Sequence, residues 1–278
     1  MTPQTTFLPE HLAELRLRDL AATHIRARQR AIERLAEHLG RDASTVTESE
    51  LRAYLAQIPR STSRSRYAEH SQISCFFRWC VLHGHLPADP SAKIPRPRMP
   101  RLLPRPISEA DLCVAIDNAQ GRVRLWLVLA AYEGLRACEI ACLDRSDILD
   151  NLPDPVLIAH GKGRKDRAVP LGERALAELR AYGLPSRGPL FPRLDGRAGP
   201  TSAHRVSLVA NDYLHGLGIT DTLHSLRHRF ATRTYQQTPD ILIVGALLGH
   251  ADPKSTSGYA QYSDPRAVLA VRALDTLV

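Results

Sequence analysis

Hydrophobic residues recur at helical spacing through the first eighty positions. From Thr23 to Leu39, apolar Ile25, Ile32, Leu35, Ala36 and Leu39 return every few residues and predict one amphipathic helix. Arg26, Arg28, Arg30 and Arg34 fall mostly on its other faces. Thr47-Glu48-Ser49-Glu50 has the form of a capping box, in which an N-cap hydroxyl and a carboxylate three residues on satisfy the open amides of a first turn. It predicts a second helix through Leu51, Tyr54, Leu55 and Ile58, ended by Pro59. A third, Ser65 to Leu82, buries Ile73, Phe76, Phe77, Cys80 and Val81 and stops at Gly84.

Residues 87–106 break the pattern with seven prolines, and five basic residues stand there against one acid, Asp89. Such a stretch predicts a stiff, extended connector. Ser108-Glu109-Ala110-Asp111 then caps a new helix, and the pattern beyond it is mixed. Val123 to Ala131 is an apolar helical run, followed by Gly134-Leu135 and a helix with Arg136, Glu139 and Leu143. Pro155 to His160 reads as a strand, Gly161-Lys162-Gly163 as a turn, and Arg167 to Leu171 as the returning strand. Helices are expected near Glu173–Tyr182, Ser202–Leu214, Leu223–Tyr235 and Ile241–Leu248. The fold class is therefore mainly α with a small β-sheet, in two domains: residues 1–90 helical, 91–106 a basic proline-rich linker, and 107–278 mixed α+β with a tail at 265–278.

The composition narrows the function. In 278 residues the longest apolar stretch, Leu125 to Tyr132, falls far short of a membrane span. The first twenty residues carry Glu10, Glu14 and Asp19 and no apolar signal core. Five cysteines without a Cys-x-x-Cys pair read as reduced thiols of a cytoplasmic protein and favour neither a disulfide scaffold nor a zinc site, so no metal is expected. Lys and Arg total 37 against 29 acids, a net charge of +8. Residues 1–106 hold 17 basic and 10 acidic residues, and the rest 20 and 19, so the surplus sits in the helical half and points to a polyanion. Only four of the basic residues are lysines: Lys93, Lys162, Lys165 and Lys254.

Several short patterns could carry chemistry. His224-Ser225-Leu226-Arg227 puts His and Arg on one helix face. Arg136 and Glu139 share that spacing; the pair is either a phosphate-gripping fork held by a carboxylate or a surface ion pair. Gly161-Lys162-Gly163-Arg164-Lys165 concentrates two of the four lysines in one turn, without the spacing of a Walker phosphate loop. Leu248-Gly249-His250 is followed nine residues on by Tyr259, beyond Pro253, with Tyr262 close behind.

In that order and with those flanks, Arg136, Lys162, His224, Arg227, His250 and Tyr259 resemble the catalytic set of the tyrosine recombinases, the phage integrase and Xer-type family. The matching stretches are Gly134-Leu135-Arg136-Ala137-Cys138-Glu139-Ile140, Gly161-Lys162-Gly163 through Val169-Pro170-Leu171, His224-Ser225-Leu226-Arg227-His228, and Leu248-Gly249-His250 with Tyr259. Cys138 stands where small or hydroxylated residues are common, and Gly258 precedes the tyrosine. The resemblance implies a SAM-like core-binding domain before a recombinase catalytic domain. It also implies cleavage through a 3′-phosphotyrosyl bond to Tyr259 and a Holliday junction, without metal or nucleotide cofactor. Arg136, Arg227 and His250 would meet the phosphoryl oxygens, His224 would be the general base and Lys162 the general acid, with Glu139 in support. A lysine suits the last task because an ammonium can release a proton that a guanidinium keeps.

The implied partners are double-stranded DNA with inverted half-sites and three further copies of the chain, a tetramer on DNA with no membrane. Candidate DNA contacts are Arg26, Arg30, Arg64, Arg66, Lys93, Arg96, Arg98, Arg101 and Lys165. A separate arm-binding domain is not expected. The alternatives are a type IB topoisomerase-like relaxase and a catalytically silent DNA-binding relative.

Overall fold

A computed structural model describes residues 5–58, 63–98, 103–161 and 166–249. It divides into two compact units, Met1–Leu102 and Leu103–Val278.

In the first unit, α1 (Leu8–Leu17), α2 (Ala22–Leu39), α3 (Glu48–Gln57) and α4 (Ser63–Leu82) surround one core. The periodicity between 23 and 39 is realised in α2, whose Ile32, Leu35 and Ala36 are fully buried against α1 and α4. Gly40 ends it at a φ of 68°, the left-handed cap conformation. The capping box forms as expected, with Thr47 N–H donating to Glu50 Oε2 at 2.9 Å and Glu50 N–H to Thr47 Oγ1 at 3.3 Å. Ile73, Phe76, Phe77 and Cys80 line the buried side of α4.

Three features differ from expectation. Helix α1 was not foreseen, although Leu8, His11, Leu12 and Leu15 have helical spacing and are its buried residues. Arg28 does not lie on a polar face: it is buried, donates to Gln72 Oε1 at 2.6 Å, and its Nη1 lies 3.1 Å from His11 Nε2. Burial, then the Arg28 charge, lowers the His11 pKa to about 4, so a neutral ring accepts from the guanidinium. Residues 90–94, the start of the expected connector, form turns rather than running extended. Ile94 is buried in this core, with its carbonyl 3.2 Å from His70 Nε2.

The second unit begins with α5 (Glu109–Asn118), whose first turn Ser108 caps by accepting from Asp111 N–H at 3.0 Å. Then follow α6 (Gly121–Tyr132), α7 (Ala137–Cys142), β1 (Ile148–Leu149), β2 (Val156–His160), β3 (Asp166–Pro170), α8 (Glu173–Tyr182), α9 (Ala203–Gly216), α10 (Leu223–Gln237) and α11 (Ile241–Leu248). Every side chain from Leu125 to Ala131 is buried, because α6 is surrounded by α5, α7, α8, α9 and α10. Each of its leucines contributes about 1.5–3 kcal/mol through burial. The three strands form an antiparallel sheet in the order β1-β2-β3, with Leu157 opposite Val169 and His160 opposite Asp166. Leu157, Ala159 and Val169 turn inward to the core. No helix among the described residues is long and apolar enough to cross a membrane.

Glu133 caps the C-terminus of α6 and is 2% exposed, with Gly172 N–H donating to its Oε1 at 3.2 Å. Burial pushes its pKa up to about 8, against the smaller opposite effect of that bond. A carboxyl whose folded pKa exceeds its ordinary 4.5 holds its proton while the unfolded chain loses one. Stability is therefore lost as pH rises between those values and is level above them. Glu133→Gln is expected to match the parent at pH 5 and to melt several degrees higher at pH 8, measured by thermal unfolding at both pH values.

Candidate active site

The site is assembled from chain segments that converge on one carboxylate. Gly134, which follows α6, has a φ of 65°, and a Cβ there would collide with the Phe230 ring of α10. Glycine alone permits this approach of loop and helix. It brings the Gly134 carbonyl to Arg227 Nη1, which donates to it, while Arg227 Nη2 donates to Leu248 O at 2.7 Å. Arg227 is 1% exposed.

Arg136 is the N-cap of α7, with Glu139 three residues on. Its N–H donates to Glu139 Oε2 at 2.8 Å and its Nη1 to Oε1 at 2.7 Å. The carboxylate thereby satisfies an open amide of the first turn and orients the guanidinium. The surface-pair alternative is excluded, since the Glu139 side chain has no exposed area while that of Arg136 keeps 32%.

Arg167 was not foreseen. Its Nη1 and Nη2 donate to the two oxygens of Glu139 at 2.8 and 3.0 Å, and its Nε to Leu247 O at 2.7 Å. With Arg227 Nη1 at 3.5 Å, three guanidiniums meet one carboxylate. Burial alone would raise the Glu139 pKa, but the Arg167 hydrogen bonds, the Arg136 N–H and the charges of Arg167 and Arg227 together hold it below the ordinary value. A sequence signal for Arg167 did exist. It shares the inward face of β3 with buried Val169, an unusual place for a charge without a partner.

His224 lies in the first turn of α10, with its ring 4.5 Å from that of His228 in an edge contact. The ring has an open side, yet partial desolvation, then the charges of Arg227 and Arg136, lowers its pKa. It is therefore neutral at neutral pH, with nitrogen available to take a proton. Thus the structure brings Arg136, Glu139, Arg227 and His224 together. Lys162, His250 and Tyr259 lie outside the described residues. The chain positions leading to two of them are defined: β2 and β3 stand on either side of Lys162 in the sequence, and α11 is capped by Gly249 just before His250. Gly249 has a φ of 62°, and a Cβ there would lie 2.9 Å from Arg167 Nη1.

Of the candidate DNA contacts, Arg26, Arg30, Arg64, Lys93, Arg96 and Arg98 are exposed. Arg66 is half-buried and donates to Ile58 O at 2.6 Å, and Arg101 and Lys165 lie outside the described residues. No group of three or more His, Cys, Asp or Glu among the described residues is placed to hold a metal ion.

Residues 108–266 match the model of the phage integrase family, a span that holds every residue of this cluster. The chain belongs to the phage integrase family. Among its relatives, the tyrosine recombinase XerD of Pseudomonas aeruginosa is 32% identical over 247 residues, covering 83% of this chain and 80% of that one. XerC of Xylella fastidiosa (strain M23) is 33% identical over 228 residues, covering 77% and 76%. The fold is shared with solved structures of family members at lower identity. XerH bound to its palindromic difH substrate superposes with a TM-score of 0.73 at 17% identity, covering 98% of this chain and 85% of that one. A lambda integrase tetramer bound to a Holliday junction gives 0.73 at 19%, covering 91% and 76%.

Glu139→Gln would leave the guanidiniums of this family member facing one another across a neutral amide. A loss of about 3–5 kcal/mol in urea unfolding at pH 7 is expected, the cost of removing one partner from a buried ion pair. Because the folded pKa of Glu139 is depressed, its contribution is present above the ordinary carboxylate value and fades as pH falls through the lowered one. The gap between parent and variant should therefore narrow on acidification.

Proposed function

We propose that this protein is a site-specific tyrosine recombinase that cleaves and rejoins double-stranded DNA. The observation that carries the reading is the cluster in which buried Glu139 holds Arg136 and Arg227 beside a neutral His224. A phosphodiester repels nucleophiles and has a poor alkoxide leaving group. Fixed cations aimed at its non-bridging oxygens lower the barrier because they need no reorganisation when charge develops. Guanidiniums fixed in this way suit a phosphorane that gains a second negative charge.

In this reading the Tyr259 oxygen bonds to phosphorus as the bond to the 5′-oxygen breaks. The phenol's proton goes to His224, and Lys162 supplies the proton that the leaving 5′-hydroxyl needs. His250 donates to the phosphoryl group. The phosphotyrosyl bond conserves the energy of the broken bond, so a 5′-hydroxyl from the partner strand can attack it without a nucleotide cofactor. Strand exchange through a Holliday junction follows, in a tetramer of the chain on two sites with inverted half-sites. The helical residues 1–90 and the basic stretch 91–106 embrace the duplex with residues 107–278, in the cytoplasm where the DNA lies.

The nucleophile is tested on a nicked trapping duplex. Tyr259→Phe should abolish the covalent protein–DNA adduct and Tyr262→Phe should retain it; the opposite result reassigns the nucleophile. Binding should weaken on the order of 10³-fold between about 50 and 200 mM salt if several phosphates are contacted, as read by fluorescence anisotropy.

A further inference from the structure

His160 ends β2, and Asp166 opens β3 as its register partner. Its Nε2 lies 2.8 Å from Asp147 Oδ1 and its Nδ1 3.0 Å from Asp166 Oδ1. A neutral imidazole has one N–H to donate and an imidazolium has two, so only the cation satisfies both carboxylates at once. Asp147 is a fixed acceptor. It closes the turn Arg145–Asp147, its other oxygen accepts from Asp144 N–H at 2.9 Å, and its side chain is 9% exposed.

Among the described residues, the other titratable and charged groups nearby are engaged elsewhere or neutral. Cys142 of α7 faces Asp147 as a thiol whose pKa is raised by burial. Arg145 is committed to Ile148 O and Asp150, and Arg167 to Glu139 and Leu247 O. His160 and Asp166 bracket residues 161–165, and Lys162 is the second residue after His160.

We propose that His160 is a positioning residue for strand cleavage: as an imidazolium it ties the two strand ends on either side of Lys162, at His160 and Asp166, to the corner at Asp147. This rests on the reading of Lys162 as proton donor. Hydrogen bonds to Asp166 and then Asp147 raise the His160 pKa above its ordinary 6.5. The clamp is complete below that ordinary value and is released as pH climbs through the raised one. Cleavage then acquires an alkaline limb well below the range in which a lysine itself loses its proton.

The test is single-turnover cleavage by the full chain from pH 6 to 9, on a nicked duplex carrying its recombination site. His160→Ala should slow cleavage about 10- to 100-fold at pH 6 with DNA affinity unchanged, the scale of a misplaced catalytic group. It should also flatten the alkaline limb. In a Lys162→Ala background the same change should add nothing, because the effect passes through the lysine. His160→Arg, a permanent cation with a fork of donors, should recover most of the rate and abolish the limb. Cleavage by His160→Ala equal to that of the parent at every pH, or full additivity with Lys162→Ala, would overturn the proposal.

The ring titration, followed by NMR, stands apart from activity. It should lie above 6.5 and fall in the Asp147→Asn/Asp166→Asn double variant, and a ring titrating at or below 6.5 in the parent sinks the clamp. A parent chain that forms no covalent adduct while the ring titrates high would instead overturn the recombinase reading and leave the clamp standing.

Discussion

Glu139 is the residue on which the rest of the site depends. A lone carboxylate with no exposed area would be costly, and here it is surrounded by the guanidiniums of Arg136, Arg167 and Arg227. The dependence is mutual, since those cations would repel one another without it. Because Arg136 comes from the start of α7, Arg167 from β3 and Arg227 from α10, one charge balance fixes three separate parts of the chain. Arg167 and Arg227 also hold the carbonyls of Leu247 and Leu248, so the end of α11 belongs to the same network.

The backbone geometry follows from that requirement. Arg227 can reach the Gly134 carbonyl only if α10 comes close to the loop after α6, and a side chain at 134 would strike Phe230. Arg167 can occupy its place only if α11 ends in a residue that lacks a Cβ and tolerates positive φ. Both glycines are thus consequences of the cation cluster. The apolar framework supplies the rigidity: α6, buried on all sides, backs α7, α8 and α10 together. A site whose charges are set before substrate arrives spends less energy on reorganisation during the reaction.

The sequence made much of this legible, for a physical reason. Long elements with one buried face repeat their signal several times, which is why α2, α8, α10 and α11 stand close to their expected bounds. Short elements do not: β1 has two residues, too few for alternation to register. Charged residues that turn inward were the other failure. Arg28 read as a surface charge and Arg167 was not singled out, because their partners, Gln72 and Glu139, are distant in sequence. The same distance hid the burial of Glu139, although its spacing from Arg136 was plain. Residue order singled out the candidate reacting groups, while the partners that orient Arg136 and Arg227 belong to tertiary structure.

The surplus of positive charge in residues 1–106 is not all available at the surface. One of its charges is internal to the helical unit, where Arg28 is buried beside Gln72 and His11, so the charge offered to DNA is smaller than the count suggests. In the catalytic unit the useful cations are guanidiniums that cannot release protons at any physiological pH. They can stabilise charge, yet they cannot carry the two proton movements that phosphoryl transfer to a tyrosine requires. A neutral His224, its pKa lowered by desolvation and by Arg227 and Arg136, suits the first movement. The second calls for a cation that can let its proton go. In the proposed reaction that need is met by the lysine at 162, in a chain that elsewhere uses arginine almost exclusively.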